Sequence, residues 1–327
     1  SSGNEEWGIR YKDVSLDLPK LLKKKLGIVD ELTKGIDFLF KKNKVSKYIG
    51  TAKILSPNEI EIRNDEKSEI INADKIIIAT GSEPTNLKNI DVDEKKIVTS
   101  TGALELDKVP QKMVVIGAGI IGLEMGTVWR RLGAEVEVVE YLPRILPGID
   151  DEIANNFMKI LQKQGVKFRL GSSVEKALID KDKVSLTIKD VNNNNISDLI
   201  ADVALVSVGR KPNTNGLGLD KLNLKIDKHG FIETNENFQT SISNIYAIGD
   251  VIKGPMLAHK AEEDGVAAVE IMNGEAGHVD YNLVPGIIYT APEVAVIGKT
   301  EEELKAARIS YNKGTFPLMA NSRAKAI

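Results

Sequence analysis

The sequence lacks cysteine altogether and contains only three histidines among its 327 residues. Without thiols, the chain has no structural disulfide, no thiolate zinc site and no redox-active dithiol of its own. The spacing of His229, His259 and His278 fits no metal-ligand motif. We therefore predict that the chain holds no metal and that this stretch carries out no thiol chemistry.

Long apolar runs and a strong net charge are also absent. No run approaches the roughly 18 residues that cross a bilayer, and residues 1–6 lack the charged and apolar regions of a secretory signal. The net charge of −3 gives no reason to expect nucleic acid or an acidic membrane as a partner. The composition, 42% hydrophobic and 28% charged, is typical of a soluble globular protein with two or three domains.

The spacing of apolar residues predicts mixed α/β structure. A helix is predicted from about residue 18 to 40, and Gly27 and Gly35 are the positions that could interrupt it. The apolar run 76–79 predicts a strand that is buried on both faces and is followed by an exit loop at 80–84. Other predicted strands cover 45–55, 59–63, 69–72, 166–170, 183–189, 202–208, 244–248, 286–289 and 294–298, and other predicted helices cover 150–164, 257–272 and 301–307.

The strongest motif is Gly117-Ala118-Gly119-Ile120-Ile121-Gly122, which fits GxGxxG between a predicted strand at 113–116 and a predicted helix at 120–132. The first glycine permits a tight turn, the second lets the backbone approach a pyrophosphate, and the third lets the helix pack against the strand. The start of the helix offers free amides and a partial positive charge to phosphates. A glycine-rich turn without a ligand is the alternative, but the flanking elements and a following acid favour a dinucleotide site.

That acid is Glu140, which ends a predicted strand at 135–139 and lies 18 residues after Gly122. An acid at this distance accepts hydrogen bonds from the adenosine ribose hydroxyls. Its charge would also repel a 2′-phosphate. The sequence therefore predicts NAD rather than NADP.

Glu124 lies two residues after the last glycine of the motif, and two interpretations of it stay open. A carboxylate in the first turn of a helix is favoured by the helix dipole without any ligand. Alternatively, Glu124 contacts the nicotinamide ribose or carboxamide.

A second signal is the buried strand that leads through residues 244–248 into Gly249-Asp250. Open α/β sheets bind ligands at the carboxyl ends of their strands, and an acid there can hold a ribose or ribityl hydroxyl. Gly-Asp turns are frequent, so this signal is moderate alone. It becomes specific together with Ala79-Thr80-Gly81 and Gly209-Arg210.

The order of these motifs resembles the pyridine nucleotide–disulfide oxidoreductases, over residues 7–327. Four stretches, at 254–259, 260–265, 289–294 and 316–324, are similar to the dihydrolipoamide dehydrogenases of that family. The resemblance implies an α/β fold with two Rossmann-like units, an NAD unit inserted into an FAD unit, and the start of an α+β dimerisation domain. It implies the boundaries 1–81 (first FAD segment), 82–212 (NAD unit), 213–280 (second FAD segment) and 281–327 (start of the interface domain).

The resemblance also implies cofactor roles residue by residue. His259 is expected to make only backbone or indirect contact, and Arg210 either pairs with a phosphate or caps a loop. The residues expected to bind NAD are Gly117, Ala118, Gly119, Ile120, Ile121, Gly122, Leu123, Glu124, Glu140, Val174 and Gly209. The residues expected to bind FAD are Ala52, Thr80, Gly81, Ser82, Asp250, Met256, Leu257, Ala258 and His259, with Asp250 on the ribityl chain and 256–259 along the isoalloxazine.

Several parts of the family pattern are not found in this sequence. They are an N-terminal FAD-binding glycine motif, a Cys-x4-Cys pair and a C-terminal His–Glu acid–base pair. We therefore expect a chain truncated at both ends, without catalytic residues of its own and without the main diphosphate anchor for FAD. Whether FAD stays bound to it is left open.

The resemblance implies an enzyme that passes electrons from dihydrolipoamide through a cysteine pair and FAD to NAD+. Its implied partners are a carrier protein of a 2-oxo acid dehydrogenase complex and a second copy of itself, in the mitochondrial matrix. The alternatives are another flavoprotein disulfide reductase, such as a glutathione or mercuric type, an NADH oxidase, or a non-catalytic nucleotide-binding module. Glu140 argues against the NADPH-using members.

Overall fold

The computed structural model describes Gly8, residues 12–65 and residues 67–326. The helices are α1 (Leu18–Lys42), α2 (Ser100–Ala103), α3 (Ile120–Leu132), α4 (Asp151–Lys163), α5 (Ala258–Met272), α6 (Glu301–Ala306) and α7 (Ser322–Ala326). The strands are β1 (Thr51–Ser56), β2 (Glu59–Arg63), β3 (Ser68–Asn72), β4 (Ile76–Ile78), β5 (Ser82–Pro84), β6 (Ile97–Val98), β7 (Lys112–Ile116), β8 (Glu135–Val139), β9 (Val166–Arg169), β10 (Ser172–Asp180), β11 (Lys183–Asp190), β12 (Ile196–Ala201), β13 (Val203–Val206), β14 (Arg210–Pro212), β15 (Ile245–Ala247), β16 (Gly286–Ile288) and β17 (Val294–Val296). Among the described helices, none is long and apolar enough to cross a membrane.

Helix α1 begins after Asp17, whose carboxylate accepts a hydrogen bond from the Lys20 amide at 3.0 Å. Neither Gly27 nor Gly35 interrupts the helix, which runs unbroken through both. A glycine within a helix costs only about 1 kcal/mol relative to alanine, and the many leucines and lysines around these two are good helix formers. Leu18 packs into the core, whereas most other apolar side chains of α1 are exposed.

A five-stranded parallel sheet with the strand order β6-β13-β7-β8-β9 forms the centre of the molecule. Its strands are apolar on both faces because both faces are covered. One face packs against α3 and α4, with Leu123, Phe157 and Leu161 in the contact. The other face packs against the antiparallel sheet β10-β11-β12 through residues such as Leu186 and Ile188.

Strands β10 and β12 were missed by the sequence analysis, which predicted only β11 and β13 in this region. Neither missed strand alternates clearly, since β10 exposes Leu178 and Ile179 and β12 exposes Ile196 and Ile200. In addition, only one residue separates β12 from β13, so the two strands read as one run. Pairing with β11 along its whole length, rather than local pattern, holds both strands in place.

A second unit contains the antiparallel sheet β1-β2-β3 and the parallel pair β4–β15. The strand predicted from residue 45 begins only at Thr51, because Thr51 pairs with Arg63, the last residue of β2. Ile77 in β4 is 37% exposed, so the predicted burial of this strand on both faces was wrong. Only one face of the β4–β15 pair, which carries Ile76 and Ile78, lies in the apolar cluster.

The predicted exit loop at 80–84 is partly a strand. Residues Ser82–Pro84 form β5 and pair antiparallel with β14, about 130 positions later in the chain. This pairing joins the segment after β4 to the segment that follows the central sheet. The predicted domain boundaries at 81, 212 and 280 stay a prediction.

The last described segment packs onto the central sheet unit. Ile288 of β16 and Val294 of β17 are buried in the cluster that includes α3 and α4. Helix α6 begins with a capping box between Thr300 and Glu303. The Lys313 ammonium lies 2.5 Å from carboxylate oxygens of both Glu152 in α4 and Glu301 in α6, which ties the segment to the sheet unit.

This tie has a predicted pH dependence. Hydrogen bonds from Lys313, Tyr311 and Lys305 lower the pKa of Glu301 from 4.5 to about 2. A lowered pKa in the folded state stabilises the fold above the unfolded value, and this contribution is lost as the pH falls from 4.5 towards about 2. We expect Lys313→Met to flatten the fall of the thermal midpoint in that window. Calorimetry at stepped pH checks it, with Lys221→Met as an exposed control; a Lys313→Met curve that follows the wild type would contradict it.

Candidate functional site

A cavity of about 590 Å³ opens at the carboxyl ends of β7, β8 and β13. Each of these strands is followed there by a turn: Gly117 after β7, Glu140 after β8, and Ser207 to Gly209 after β13. Parallel strands bring their carboxyl ends to one edge of the sheet, where such folds bind ligands. The predicted NAD residues that line this crevice are Gly117, Gly119, Ile120, Ile121, Glu140, Val174 and Gly209.

The three glycines of the motif have different steric surroundings. Gly117 has a φ of +104°, and a Cβ there would lie 2.5 Å from the carbonyl oxygen of Ser207. A Cβ on Gly122 would lie 2.3 Å from the carbonyl oxygen of Gly117. Gly119, in contrast, has an ordinary φ of −78° and nothing within 4 Å of a built Cβ. The first and third glycines are therefore required by the fold, whereas the second leaves space open to the crevice.

The start of α3 presents backbone donors to this space. Gly119 is the N-cap and has no side-chain cap, and the first bond along the helix runs from the Leu123 amide to the Gly119 carbonyl at 3.1 Å. The amides before Leu123 have no acceptor within a helix, which is the general condition of a helix start. Together with the helix dipole, they form a site for an anion such as a phosphate.

The Glu140 side chain lines the crevice but is 9% exposed and already has two backbone partners. One carboxylate oxygen accepts from the Ala118 amide at 2.6 Å and the other from the Leu142 amide at 2.8 Å. A carboxylate oxygen has a second lone pair, so either can still accept from a ligand hydroxyl. Glu140 thus fixes the glycine loop as well as facing the crevice, a function that the sequence analysis did not foresee.

Four predicted NAD residues do not line the cavity: Ala118, Gly122, Leu123 and Glu124. Ala118 is fully buried behind the loop, with its amide bonded to Glu140. Leu123 is 1% exposed in the core, and Gly122 faces the Gly117 carbonyl. The side chains of Ala118 and Leu123 therefore do not line the crevice, and the assignment of both residues to NAD stays a prediction.

Glu124 does not lie in the first turn of α3, so the interpretation by the helix dipole alone was wrong. Its carboxylate accepts a hydrogen bond from the Tyr289 amide at 2.8 Å, which joins α3 to the end of β16. A contact with the nicotinamide ribose or carboxamide stays a prediction.

The second group of predicted residues gathers at the carboxyl ends of β4 and β15. Thr80 and Gly81 follow β4, and Asp250 follows β15 within the 3-10 turn Gly249–Val251. The Ser82 hydroxyl donates to the Asp250 carboxylate at 2.5 Å, and the Thr80 hydroxyl donates to the Asn213 carbonyl at 2.6 Å. Four residues predicted for FAD are thus brought together by two separate strand ends.

Arg210 connects this group with the first crevice, which it lines. Its guanidinium donates to the Ser82 hydroxyl at 2.7 Å and to the Ser82 carbonyl at 2.5 Å. This geometry supports the loop-capping interpretation of Arg210. A chain of hydrogen bonds therefore runs from the crevice wall through Ser82 to Asp250.

The remaining residues predicted for FAD divide between two places. Leu257 is the N-cap of α5, and Met256 and His259 are half-buried beside it, while Ala258 is exposed. A ring nitrogen of His259 lies 2.7 Å from the Pro285 carbonyl oxygen. Ala52 lies apart from this group, exposed on β1 opposite Ile62.

A buried ion pair in α5 was missed by the sequence analysis. Lys260 and Asp264 are both fully buried, and their charged atoms lie 2.8 Å apart. They bond to both backbone groups of Gly249, directly before Asp250. Charged residues usually lie at the surface, so this pair was not expected in the core. The available signal was the i, i+4 spacing of Lys260 and Asp264 on the helix that follows the Gly249-Asp250 turn.

A second, polar depression of about 850 Å³ lies at the amino ends of the same central strands. Its charges are largely satisfied by neighbours, since Lys183 pairs with Asp202 and Glu94 accepts from Thr99 and Gly102. Amino ends of parallel strands are not where such sheets bind nucleotides. The polar depression is therefore not a candidate nucleotide site.

Residues 4–265 match the sequence model described as Pyridine nucleotide-disulphide oxidoreductase. The chain belongs to the pyridine nucleotide-disulphide oxidoreductase family. Residues 284–327 match the dimerisation domain of the same family. The family binds FAD and a pyridine nucleotide, and the predicted resemblance and fold class are confirmed.

Curated relatives match nearly the whole chain. This chain is 53% identical over 321 residues to dihydrolipoyl dehydrogenase 1, mitochondrial, of Arabidopsis thaliana, and the match covers 98% of this chain and 63% of that protein. It is 51% identical to a leghemoglobin reductase of Glycine max, covering 98% and 61%, and 50% identical to dihydrolipoyl dehydrogenase, mitochondrial, of Sus scrofa, covering 97% and 63%. The chain thus spans somewhat over three fifths of the length of these relatives.

Among solved structures, the Cu(II) complex of the HOCl-induced flavoprotein disulfide reductase RclA from Escherichia coli has a similar fold. The TM-score is 0.85 at 24% sequence identity, covering 94% of this chain and 69% of that one. At this identity the likeness shows the fold alone.

Proposed function

We propose that the complete protein is an NAD-dependent dihydrolipoyl dehydrogenase and that this chain supplies its NAD site and part of its FAD site. The observation that carries this proposal is the crevice at the start of α3, with Gly119 open to it and Glu140 on its wall. Half or more of the residues are identical to enzymes named dihydrolipoyl dehydrogenase, which supports the substrate. The predicted boundaries at 81, 212 and 280 are proposed as the limits of the two units.

The residues of the crevice fit a dinucleotide. Free amides at the start of α3 suit a diphosphate, and the open space at Gly119 allows the backbone to approach it. Glu140, held by two backbone amides, keeps a lone pair on each oxygen for ribose hydroxyls, and its charge disfavours a 2′-phosphate. Val174 and Gly209 would line the same pocket. This chemistry supports NAD over NADP.

The residues around Asp250 fit the sugar-alcohol part of a flavin cofactor. The Asp250 carboxylate is half-buried, oriented by Ser82, and located at the end of a parallel strand. The start of α5 lies beside the same turn, where Lys260 bonds to Gly249. When bound, the flavin and the nicotinamide supply the electron-transfer chemistry. The chain's own residues hold and orient them; the thiol chemistry would need residues outside this cysteine-free sequence.

The proposed partners are dihydrolipoamide on a carrier protein of a 2-oxo acid dehydrogenase complex and a second copy of the enzyme. The match of residues 284–327 to a dimerisation domain supports the homodimer. Relatives named as mitochondrial proteins support a location in the mitochondrial matrix.

The proposal is tested by steady-state assay of the full-length protein. We expect dihydrolipoamide to reduce NAD+, with NADP+ a poor substitute, and a visible absorption spectrum with flavin bands. Glutathione disulfide and oxygen serve as substrates for the rival reductase and oxidase activities. The second candidate function is leghemoglobin reduction, which the relative from Glycine max favours. An assay with ferric leghemoglobin as the electron acceptor tests it. Activity only in one of those arms would replace the proposed function.

A further inference from the structure

The turn that carries Asp250 is held from behind by the buried pair of α5. The Gly249 amide donates to the Asp264 carboxylate at 3.0 Å, and the Gly249 carbonyl accepts from the Lys260 ammonium at 3.0 Å. Gly249 itself has a φ of +71°, a backbone conformation that other residues rarely adopt. One ion pair thus fixes both peptide groups that flank Gly249, and with them the direction in which Asp250 leaves the turn.

Such a pair is not explained by stability. Removing two charges from water costs more than their attraction commonly returns, and well-packed apolar residues serve a core equally well. Polar groups that persist in cores are best understood where they specify one conformation. Here the ion pair specifies the conformation of the turn at Gly249, and the next side chain, that of Asp250, belongs to the proposed flavin site.

Tyr281 closes the cluster from the other side. Its hydroxyl donates to the second Asp264 oxygen at 2.9 Å, and its ring centre lies 4.9 Å from the Lys260 ammonium. Burial and the Asp264 carboxylate raise the pKa of Tyr281, so the hydroxyl keeps its proton and stays a donor. Gly254 leaves the room for this ring, because a Cβ there would lie 2.9 Å from it.

We infer that Lys260, Asp264 and Tyr281 form a clamp that positions the Asp250 carboxylate for its flavin. Tyr281 begins the segment that leads into the dimerisation domain, and this segment also bonds to Glu124 through Tyr289. Tyr281 is thus a positioning residue, which acts on flavin retention through Asp264 and the Gly249 turn. The inference rests on the proposed function, because it needs a flavin at Asp250.

Tyr281→Phe tests the clamp in the full-length holoenzyme, because it removes one hydroxyl and keeps the ring. Tyr311→Phe is the matched control, since the Tyr311 hydroxyl also donates to a carboxylate, that of Glu301, but far along the chain from the clamp. The readouts are the rate of FAD release on dilution, followed by the fluorescence of free flavin, and the midpoint of global unfolding by urea. We expect Tyr281→Phe to release FAD about fivefold faster, which corresponds to about 1 kcal/mol.

The control and the unfolding midpoints separate positioning from general weakening. Tyr311→Phe is expected to release FAD at the wild-type rate. Tyr281→Phe is expected to lower the urea midpoint as well, because a buried Asp264 oxygen loses its donor. Equal release rates for Tyr281→Phe and Tyr311→Phe would overturn the clamp and leave the proposed function standing. So would equally fast release from Phe157→Leu, which lowers the urea midpoint through the core around α4 and leaves the clamp intact. A wild-type protein without flavin would overturn both.

Discussion

Gly119→Ala is expected to weaken NADH binding by roughly thirtyfold while the protein keeps its fold. The added methyl group meets no protein atom within 4 Å, and the backbone at Gly119 is already in a region that alanine adopts. It enters the space in which the amides at the start of α3 would approach a diphosphate. Overpacking one methyl group into a tight contact costs about 1–3 kcal/mol, and the middle of that range gives the thirtyfold loss.

Gly122→Ala is the matched comparison, with the same chemical change three residues later. Its methyl group would lie 2.3 Å from the backbone oxygen of Gly117 and 2.6 Å from the Ser207 hydroxyl, so α3 or the loop must shift. We expect a loss of stability of about 2 kcal/mol. Gly119→Ala loses only the N-cap preference of glycine over alanine, below about 1 kcal/mol.

Isothermal titration with NADH and thermal unfolding of both variants separate a loss of cofactor affinity from a loss of stability. We expect Gly119→Ala to lower the NADH affinity with little change in the thermal unfolding midpoint. We expect Gly122→Ala to lower chiefly the thermal unfolding midpoint. An NADH affinity for Gly119→Ala within twofold of the wild type would show that no diphosphate approaches this backbone, and the assignment of the crevice would be wrong.

The βαβ unit from Lys112 to Glu140 was predictable nearly to the residue because each of its signals is local. An apolar strand, a glycine turn, an amphipathic helix ended by Gly133 and a second apolar strand follow one another directly. The same holds for α5 and β15, whose predicted bounds differ from the structure by only one residue at either end. Wherever neighbours in sequence are neighbours in space, composition and spacing suffice.

Features made by distant partners were not predictable in this way. Strand β5 exists because Arg210–Pro212 pairs with it, and Arg210 then bonds to Ser82 across 128 positions. Tyr281 completes the Lys260–Asp264 cluster from a different segment, and nothing local in its sequence indicates a buried carboxylate nearby. Glu140 was recognised as an acid at the right spacing, but its bonds to Ala118 and Leu142 depend on how the loop closes.

Those bonds shape the second large prediction. Glu140→Gln is expected to lower NADH affinity at least tenfold and to reduce the preference for NADH over NADPH. The glutamine side chain lacks the negative charge that repels a 2′-phosphate. It also places an N–H group where a Glu140 oxygen accepts a hydrogen bond from the backbone of Ala118 or Leu142. A buried donor left without a partner costs about 1–3 kcal/mol, so the thermal midpoint falls as well.

Because loop and ligand are both affected, the ratio of the NADH and NADPH dissociation constants is the informative readout. Loosening of the glycine loop weakens both cofactors alike, whereas loss of the carboxylate charge weakens NADH and relieves NADPH. Glu137→Gln is the control from β8, the strand that leads to Glu140, since Glu137 pairs with Lys112 and Arg169 rather than lining the crevice. It should lower the midpoint and leave the ratio unchanged. If Glu140→Gln behaves in the same way, its carboxylate only closes the loop, and another group must select the cofactor.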